Sequence, residues 1–297
     1  MNYGSLVGLK AHFKHSSSRH KLDKPLSFHP GMLFVGIDLA WSPKNGSGIA
    51  ILDADQRKAK VVYCGIAHSD SEILDAVSLH VKDKPAFIAI DAPLIVPNET
   101  GRRDAEKYVG MLFRKYDAGA HPSNRQRLSQ WSGTIRGEEI GKGLEGTGFV
   151  HDPNIEKYEK SRKFFEVFPH PSMVVLFSLD HIIQYKAKPH RDYEFRWNEF
   201  KRYQKLLLGL KDLKIPEEII GTDVTLLRSD KLKNYEDMLD GIFCAYIAYT
   251  AWKSPERCCV IGDMNKGYIL TPVMLGMRDV LQKYIEQEKS QSRLKDF

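Results

Sequence analysis

The sequence is poor in cysteine, with four in 297 residues: Cys64, Cys244 and the adjacent Cys258 and Cys259. None belongs to a C-x-x-C pair or has a histidine at zinc-finger spacing. This excludes a disulfide framework and a structural zinc motif, and it points to a reducing, cytoplasmic setting. Long apolar runs are also missing. The longest, Gly241 to Trp252, has 12 residues, whereas a membrane span needs about 18 or more, so the run predicts a buried core helix and no membrane association. The basic start followed by Met32-Leu33-Phe34-Val35 does not make a leader peptide, because Asp38 interrupts the apolar region and no small-residue cleavage site follows. Internal repeats and a second core are absent as well, which favours one domain.

What is present suffices for a full core: 42% hydrophobic residues and 28% charged, with only 22 glycines, exclude a disordered or collagen-like chain. The 44 Lys and Arg against 38 Asp and Glu give a net charge of +6, which hints at a polyanionic partner. The distribution weakens that hint. Residues 1–30 carry Lys10, Lys14, Arg19, Lys21 and Lys24 against Asp23 alone, so the rest of the chain is near neutral, at about +2. Residues 1–31 show neither strand nor helix periodicity and read as a disordered basic arm, with residues 32–297 as the folded domain. Met32, directly before the first strand, is the expected working start. The alternative is that the arm anchors nucleic acid.

From Leu33 the pattern alternates strands and helices. Leu33–Leu39, Gly48–Leu52 and Lys60–Cys64 read as strands, with a turn at Ser42-Pro43-Lys44-Asn45-Gly46 between the first two. Ser69 or Asp70 can cap a helix whose Ile73, Leu74 and Val77 share a face. Pro85–Ile90 is a continuous apolar run suited to a strand buried on both faces. After a helix at Asp104–Tyr116, Gly133, Gly137, Gly141, Gly143, Gly146 and Gly148 suggest a loop or lid, so residues 101–160 read as a helical and glycine-rich insertion. Further elements are a strand at Lys163–Phe168, helices at Asp192–Leu210 and Asp230–Lys253, a hairpin from Cys258 to Leu270 and a last helix from Met277. The fold class is α/β, a mixed sheet flanked by helices.

The chemistry resides in carboxylates. Asp38 stands inside the apolar strand Val35-Gly36-Ile37-Asp38-Leu39, where an unpaired charge is costly and needs a partner or a metal. Asp91 ends the buried Phe87–Ile90 run and precedes Ala92-Pro93. Acids at the carboxyl ends of central strands point into the crevice where α/β sheets hold their ligands. Asp237 and Asp240, three apart on one helix face, introduce the apolar Ile242–Trp252 stretch. Taken singly, each has a bland reading as a cap, a turn former or a solvated acid. Drawn together, they would form a cluster of like charges that only divalent cations could neutralise. Magnesium or manganese on Asp38, Asp91 and Asp240, with Asp237 assisting catalysis, would suit oxygen ligands and two-metal hydrolysis of a phosphodiester.

A Gly-x-Asp strand with a glycine hairpin, a buried strand ending in Asp and a late Asp-x-x-Asp helix resemble, in that order, a ribonuclease H-like nuclease. The resemblance sharpens over Gly36-Ile37-Asp38-Leu39-Ala40-Trp41, Ala89-Ile90-Asp91-Ala92-Pro93-Leu94, Arg102-Arg103-Asp104, Glu166-Val167-Phe168-Pro169-His170, Tyr185-Lys186, Asp237-x-x-Asp240 and Gly262 with Gly267-Tyr268-Ile269. On these blocks the chain looks like the DUF429 family. The resemblance implies a ribonuclease H-like fold and a predicted nuclease activity on nucleic acid or another phosphodiester. The Asp-x-x-Asp helix also resembles the end of the RuvC-type junction resolvases, but position 91 is Asp where they have Glu, and position 241 is Gly where Ala is common.

Other polar residues are expected to support this centre. Glu166 shares a strand face with Phe164 and Phe168 and is either buried and paired or poised in a pocket, as a support rather than a ligand. Arg102, Arg103, Lys186 and Arg191 are candidate phosphate contacts. For the first two the alternative is a salt bridge to Asp104 or Glu106. His121 and His170, each before a proline in an expected loop, could shuttle protons but read more readily as structural. Two other functions compete. An ATP-dependent phosphotransferase of the actin and sugar-kinase type would need a Thr or Ser after Asp38-x, where Ala40 and Trp41 stand. A non-catalytic nucleic-acid-binding protein would have kept the fold without the chemistry.

Overall fold

The first apolar runs become strands β1 (Met32–Asp38), β2 (Ser47–Ala54) and β3 (Ala59–Ala67), followed by helix α1 (Asp70–Val81) and strand β4 (Ala86–Ile90). The structure, a computed structural model, describes residues 31–42, 44–130 and 132–293, so the basic arm lies outside the described residues. β1, β2 and β3 form an antiparallel meander. The α1 crossover then returns the chain to pair β4 parallel to β1, with Ile37 beside Ile90. Ser69 caps α1 by accepting from the Glu72 amide, and Ile73 and Val77 are buried.

Beyond β4 come α2 (Asp104–Phe113), α3 (Arg125–Leu128), α4 (Arg136–Gly146), β5 (Val150–His151), β6 (Arg162–Glu166), α5 (Pro169–Leu176), α6 (Tyr193–Leu208), β7 (Leu213–Lys214), α7 (Glu217–Ile220) and α8 (Ser229–Lys253). The chain closes with the hairpin β8 (Cys258–Asp263) and β9 (Gly267–Pro272) and with α9 (Met277–Arg293). The main sheet runs in the order β5-β6-β4-β1-β2-β3-β7. β6, β4 and β1 are mutually parallel, so their carboxyl ends form one edge of the sheet.

Strand alternation sorts the core onto two faces. Phe34, Phe87, Ala89 and Phe165 pack with Phe243, Ile247 and Tyr249 of α8. Val35, Ile37, Ile88, Ile90 and Phe164 pack on the other side with Ile73 and Val77 of α1 and Ile140 and Leu144 of α4. The Gly241–Trp252 run is buried all round. It needs no polar face because α8 lies between the sheet and the α5 and α6 side chains. A third cluster joins α2, the β8-β9 hairpin and α9 through Val109, Phe113, Ile261, Ile269 and Leu281.

The glycine-rich stretch is not a loop or lid. Residues 136–146 form α4, with Gly137 and Gly141 buried. A Cβ on Gly137 would stand 2.2 Å from the Pro93 carbonyl oxygen, and one on Gly141 would stand 3.2 Å from the Phe164 ring. Glycine in a helix costs about 1 kcal/mol against alanine, but here it lets the helix approach the sheet closely. The mixed α/β sheet flanked by helices is as the sequence indicates. Among the described residues no helix is long and apolar enough to cross a membrane. All four cysteines are unpaired.

Candidate acidic centre at the sheet edge

Three glycines set the geometry of the centre. A Cβ on Gly36 of β1 would fall 2.0 Å from the Gly241 carbonyl oxygen, and one on Gly48 of β2 would fall 1.8 Å from that of Asp237. α8 therefore rests on strand backbone with no side chain between them. Gly241 itself faces Gly48, where a Cβ would meet the backbone at 3.2 Å. This explains why glycine replaces the expected alanine there. Asp38, two residues beyond Gly36, shares the strand face that meets α8. Asp91 leaves β4 beside it, its amide donating to the Ile37 carbonyl at 2.9 Å. Asp237 and Asp240 come from the α8 turn that touches Gly48 and Gly36.

The sheet edge thus places the four aspartates within electrostatic range of one another. Burial raises the pKa of Asp38, with Asp240 adding to the rise and Lys186 opposing it. Asp91 is pushed well up, first by burial and then by the Asp38 charge. Burial and Asp38 push Asp237 up to about 8, with Lys233 opposing the rise. Asp240 is fully buried and accepts from the Tyr185 hydroxyl at 2.6 Å and from Tyr203 at 3.3 Å.

The expectation that only divalent cations could balance these charges needs correction, because two lysines already contribute. Lys186 Nζ lies 2.8 Å from Asp240 Oδ2. Lys233, one turn before Asp237, donates to Asp237 and, at 2.9 Å, to Glu236. Although burial pulls the Lys186 ammonium downward, Asp240 and Asp38 hold its pKa well above the ordinary lysine range. The two ammoniums balance part of the charge that the four aspartates and Glu236 carry when ionised. Asp240 Oδ2 is close enough to Lys186 for an ion pair but accepts no aligned hydrogen bond. A buried carboxylate oxygen in that condition, beside Asp38 and Asp91, is a hard donor suited to magnesium or manganese. Among the described residues no three His, Cys, Asp or Glu side chains are gathered as a ligand set. A cation would compete with Lys186 for Asp240.

The supporting residues divide differently from the sequence expectation. Glu166 points to the opposite sheet face, buried and paired. It receives Arg103 through Nη1 at 2.9 Å and Nη2 at 2.5 Å, and it accepts from the Leu94 amide at 3.0 Å. That bond fixes the chain just beyond Asp91, so Glu166 acts on the centre through the backbone. Arg103 is corrected from phosphate contact to structural cation. It is 3% exposed, and its remaining donors go to Glu106 and the Ile95 carbonyl. Replacing it by methionine should cost about 3–5 kcal/mol, because Glu166 and Glu106 would be left buried and unpaired. The expected result is a thermal midpoint lower by roughly 10 °C, measured by circular dichroism. A change of under about 2 °C would contradict this reading.

Arg191 is likewise committed, donating to the Gln184 and Lys186 carbonyls at 3.2 Å, so it holds the loop that presents Lys186. Arg102 is exposed. His170 lies in the first turn of α5 rather than in a loop. Burial lowers its pKa to about 3, with Lys186 adding to the fall, so its ring is neutral near the acids. His121 is exposed and lines a cleft with Asp91. Sequence reasoning missed Lys233, Tyr203 and the clamp on Asp240. Only Lys233 had a signal, its i,i+4 spacing to Asp237.

The sequence model of DUF429, described as a protein of unknown function, matches residues 36–265. No curated protein matches the chain.

Proposed function

We propose that this chain, which belongs to DUF429, is a divalent-metal-dependent nuclease or phosphodiesterase of ribonuclease H-like fold. The observation that carries the reading is the meeting of Asp38 and Asp91, on adjacent parallel strand ends, with Asp237 and Asp240 of α8, where burial and mutual repulsion raise three of the four pKa values. The strand order β3-β2-β1-β4-β6, with only β2 antiparallel to its neighbours, supports the ribonuclease H-like assignment. Perturbed carboxylates at a crevice are characteristic of reactive sites.

Magnesium or manganese held by Asp38, Asp91 and Asp240 would activate water and stabilise the leaving oxygen of a phosphodiester. The chain's own groups prepare that chemistry. Tyr185 and Tyr203 fix Asp240. Lys233 anchors Asp237. Lys186, with 28% of its side chain accessible, is the cation that can leave Asp240 to meet a phosphate oxygen. The four free cysteines accord with a reducing cytoplasm.

The test incubates purified protein with labelled single-stranded, duplex and branched nucleic acids and a small phosphodiester, with magnesium or manganese, beside Asp38→Asn. Metal-dependent cleavage lost in the variant supports the reading. Equal cleavage by both proteins indicates a contaminant and removes it. The lysine pairing favours one alternative, a non-catalytic nucleic-acid-binding protein. Strand binding without cleavage, and without metal binding by calorimetry, would establish that alternative.

A further inference from the structure

Trp41 is three residues beyond Asp38, in the segment that leaves β1, and is 42% exposed. Its ring lines the same cleft as Asp91 and His121, so the indole and one of the four aspartates open onto one space. The guanidinium of Arg127 stands 5.2 Å from the ring centroid, a cation–π contact that steadies the indole and places positive charge beside it.

The backbone before the ring is also fixed. Arg136, 5% exposed, donates to the Ala40 carbonyl at 2.7 Å and to Asp70 at 2.6 Å, while the Ala40 amide donates to Ser47 Oγ at 3.1 Å. Arg136 Nη2 has no partner, although it is buried, and the residue lines a small hollow that Trp41 closes. A buried arginine thus fixes the backbone just before an exposed tryptophan at the cleft that Asp91 lines.

We infer that the Trp41 ring is a stacking shelf for an unpaired nucleobase of the strand whose phosphodiester lies at Asp38 and Asp91. This rests on the phosphodiester reading above and narrows it to strands with single-stranded character at the reacting position. The nucleobase is the planar group carried next to a scissile phosphate. Stacking on an indole tolerates any base, because each presents a π-face, whereas a duplex hides those faces between neighbouring pairs. Arg127 places its positive charge over one face of the ring, and His121 lines the same cleft.

The experiment measures binding, so it does not depend on turnover. In an Asp38→Asn background without divalent metal, anisotropy of a labelled oligonucleotide is followed for Trp41, Trp41→Ala and Trp41→Phe proteins. The ligands are a single strand, its duplex and the same strand carrying abasic positions. The expected result is about ten-fold weaker single-strand binding for Trp41→Ala, with most of the affinity kept by Trp41→Phe. The abasic strand and the duplex should bind all three proteins alike. Circular dichroism melting confirms that the variants are folded. Equal single-strand affinity in Trp41→Ala overturns the shelf and leaves cleavage by the acids standing. Trp41-dependent binding by a wild type that cleaves nothing removes the nuclease reading and keeps the shelf. Absence of binding by any strand overturns the shelf.

Discussion

Asp38→Asn should lose activity and gain stability at once. On the proposed nuclease reading, loss of a carboxylate that would hold the cation is expected to slow cleavage by about a thousand-fold or more, equivalent to roughly 4 kcal/mol of transition-state stabilisation. Asp38 also destabilises the resting fold. Burial and the neighbouring Asp240 raise its pKa even though Lys186 draws it down. A neutral isostere relieves that cost and should raise the thermal midpoint.

The sign of the pH dependence follows from the direction of these shifts. Asp38, Asp91 and Asp237 bind protons more tightly folded than unfolded. Their contribution therefore favours the fold at low pH. It is lost as pH rises from the ordinary aspartate range, near 4, through the higher folded values, which reach about 8 for Asp237. Wild-type melting should fall between mildly acidic and mildly alkaline buffer, and the slope should be shallower in Asp38→Asn. Lower activity with lower stability would instead make Asp38 an ordinary structural acid.

Gly48→Ala should produce the opposite pairing, with activity and stability failing together. The added methyl would sit 1.8 Å from the Asp237 carbonyl oxygen and 2.3 Å from its carbon. Both are helix backbone, so no side chain can swing away. Either the β1-β2 meander or α8 must move. Overpacking of this kind costs typically 1–3 kcal/mol and occasionally more, and backbone on backbone places it at the upper end. A midpoint lower by about 10 °C is expected, with cleavage falling because Asp237 and Asp240 withdraw from Asp38. Gly146→Ala, whose Cβ meets nothing within 4 Å, is the control and should lower neither. Wild-type melting and cleavage in Gly48→Ala would show that the seam is slack.

Much of the centre was legible because the signal was local. Asp38 and Asp91 stand out as single acids in apolar strands, and Asp237 and Asp240 as acids opening an apolar helix. α4 was misread because glycine composition does not distinguish a flexible linker from a helix that needs close approach to Pro93 and Phe164. The two-residue strands β5 and β7 are too short to carry a period. Arg103 and Glu166 are 63 positions apart in the chain, so their pairing follows from the fold rather than from any spacing. The same holds for Lys186 and Asp240, the pair that changed the charge account of the centre.

Those lysines bear on how the molecule lives before it meets metal or substrate. Counter-ions built into the polypeptide cannot be stripped by a chelator or diluted away. The chain can therefore fold with its acids held in place, and on the proposed reading a cation would arrive as a replacement for Lys186 rather than as a folding requirement. Metal affinity in such a site is a difference between two occupants, so it should be tunable from the lysine side without altering a single ligand.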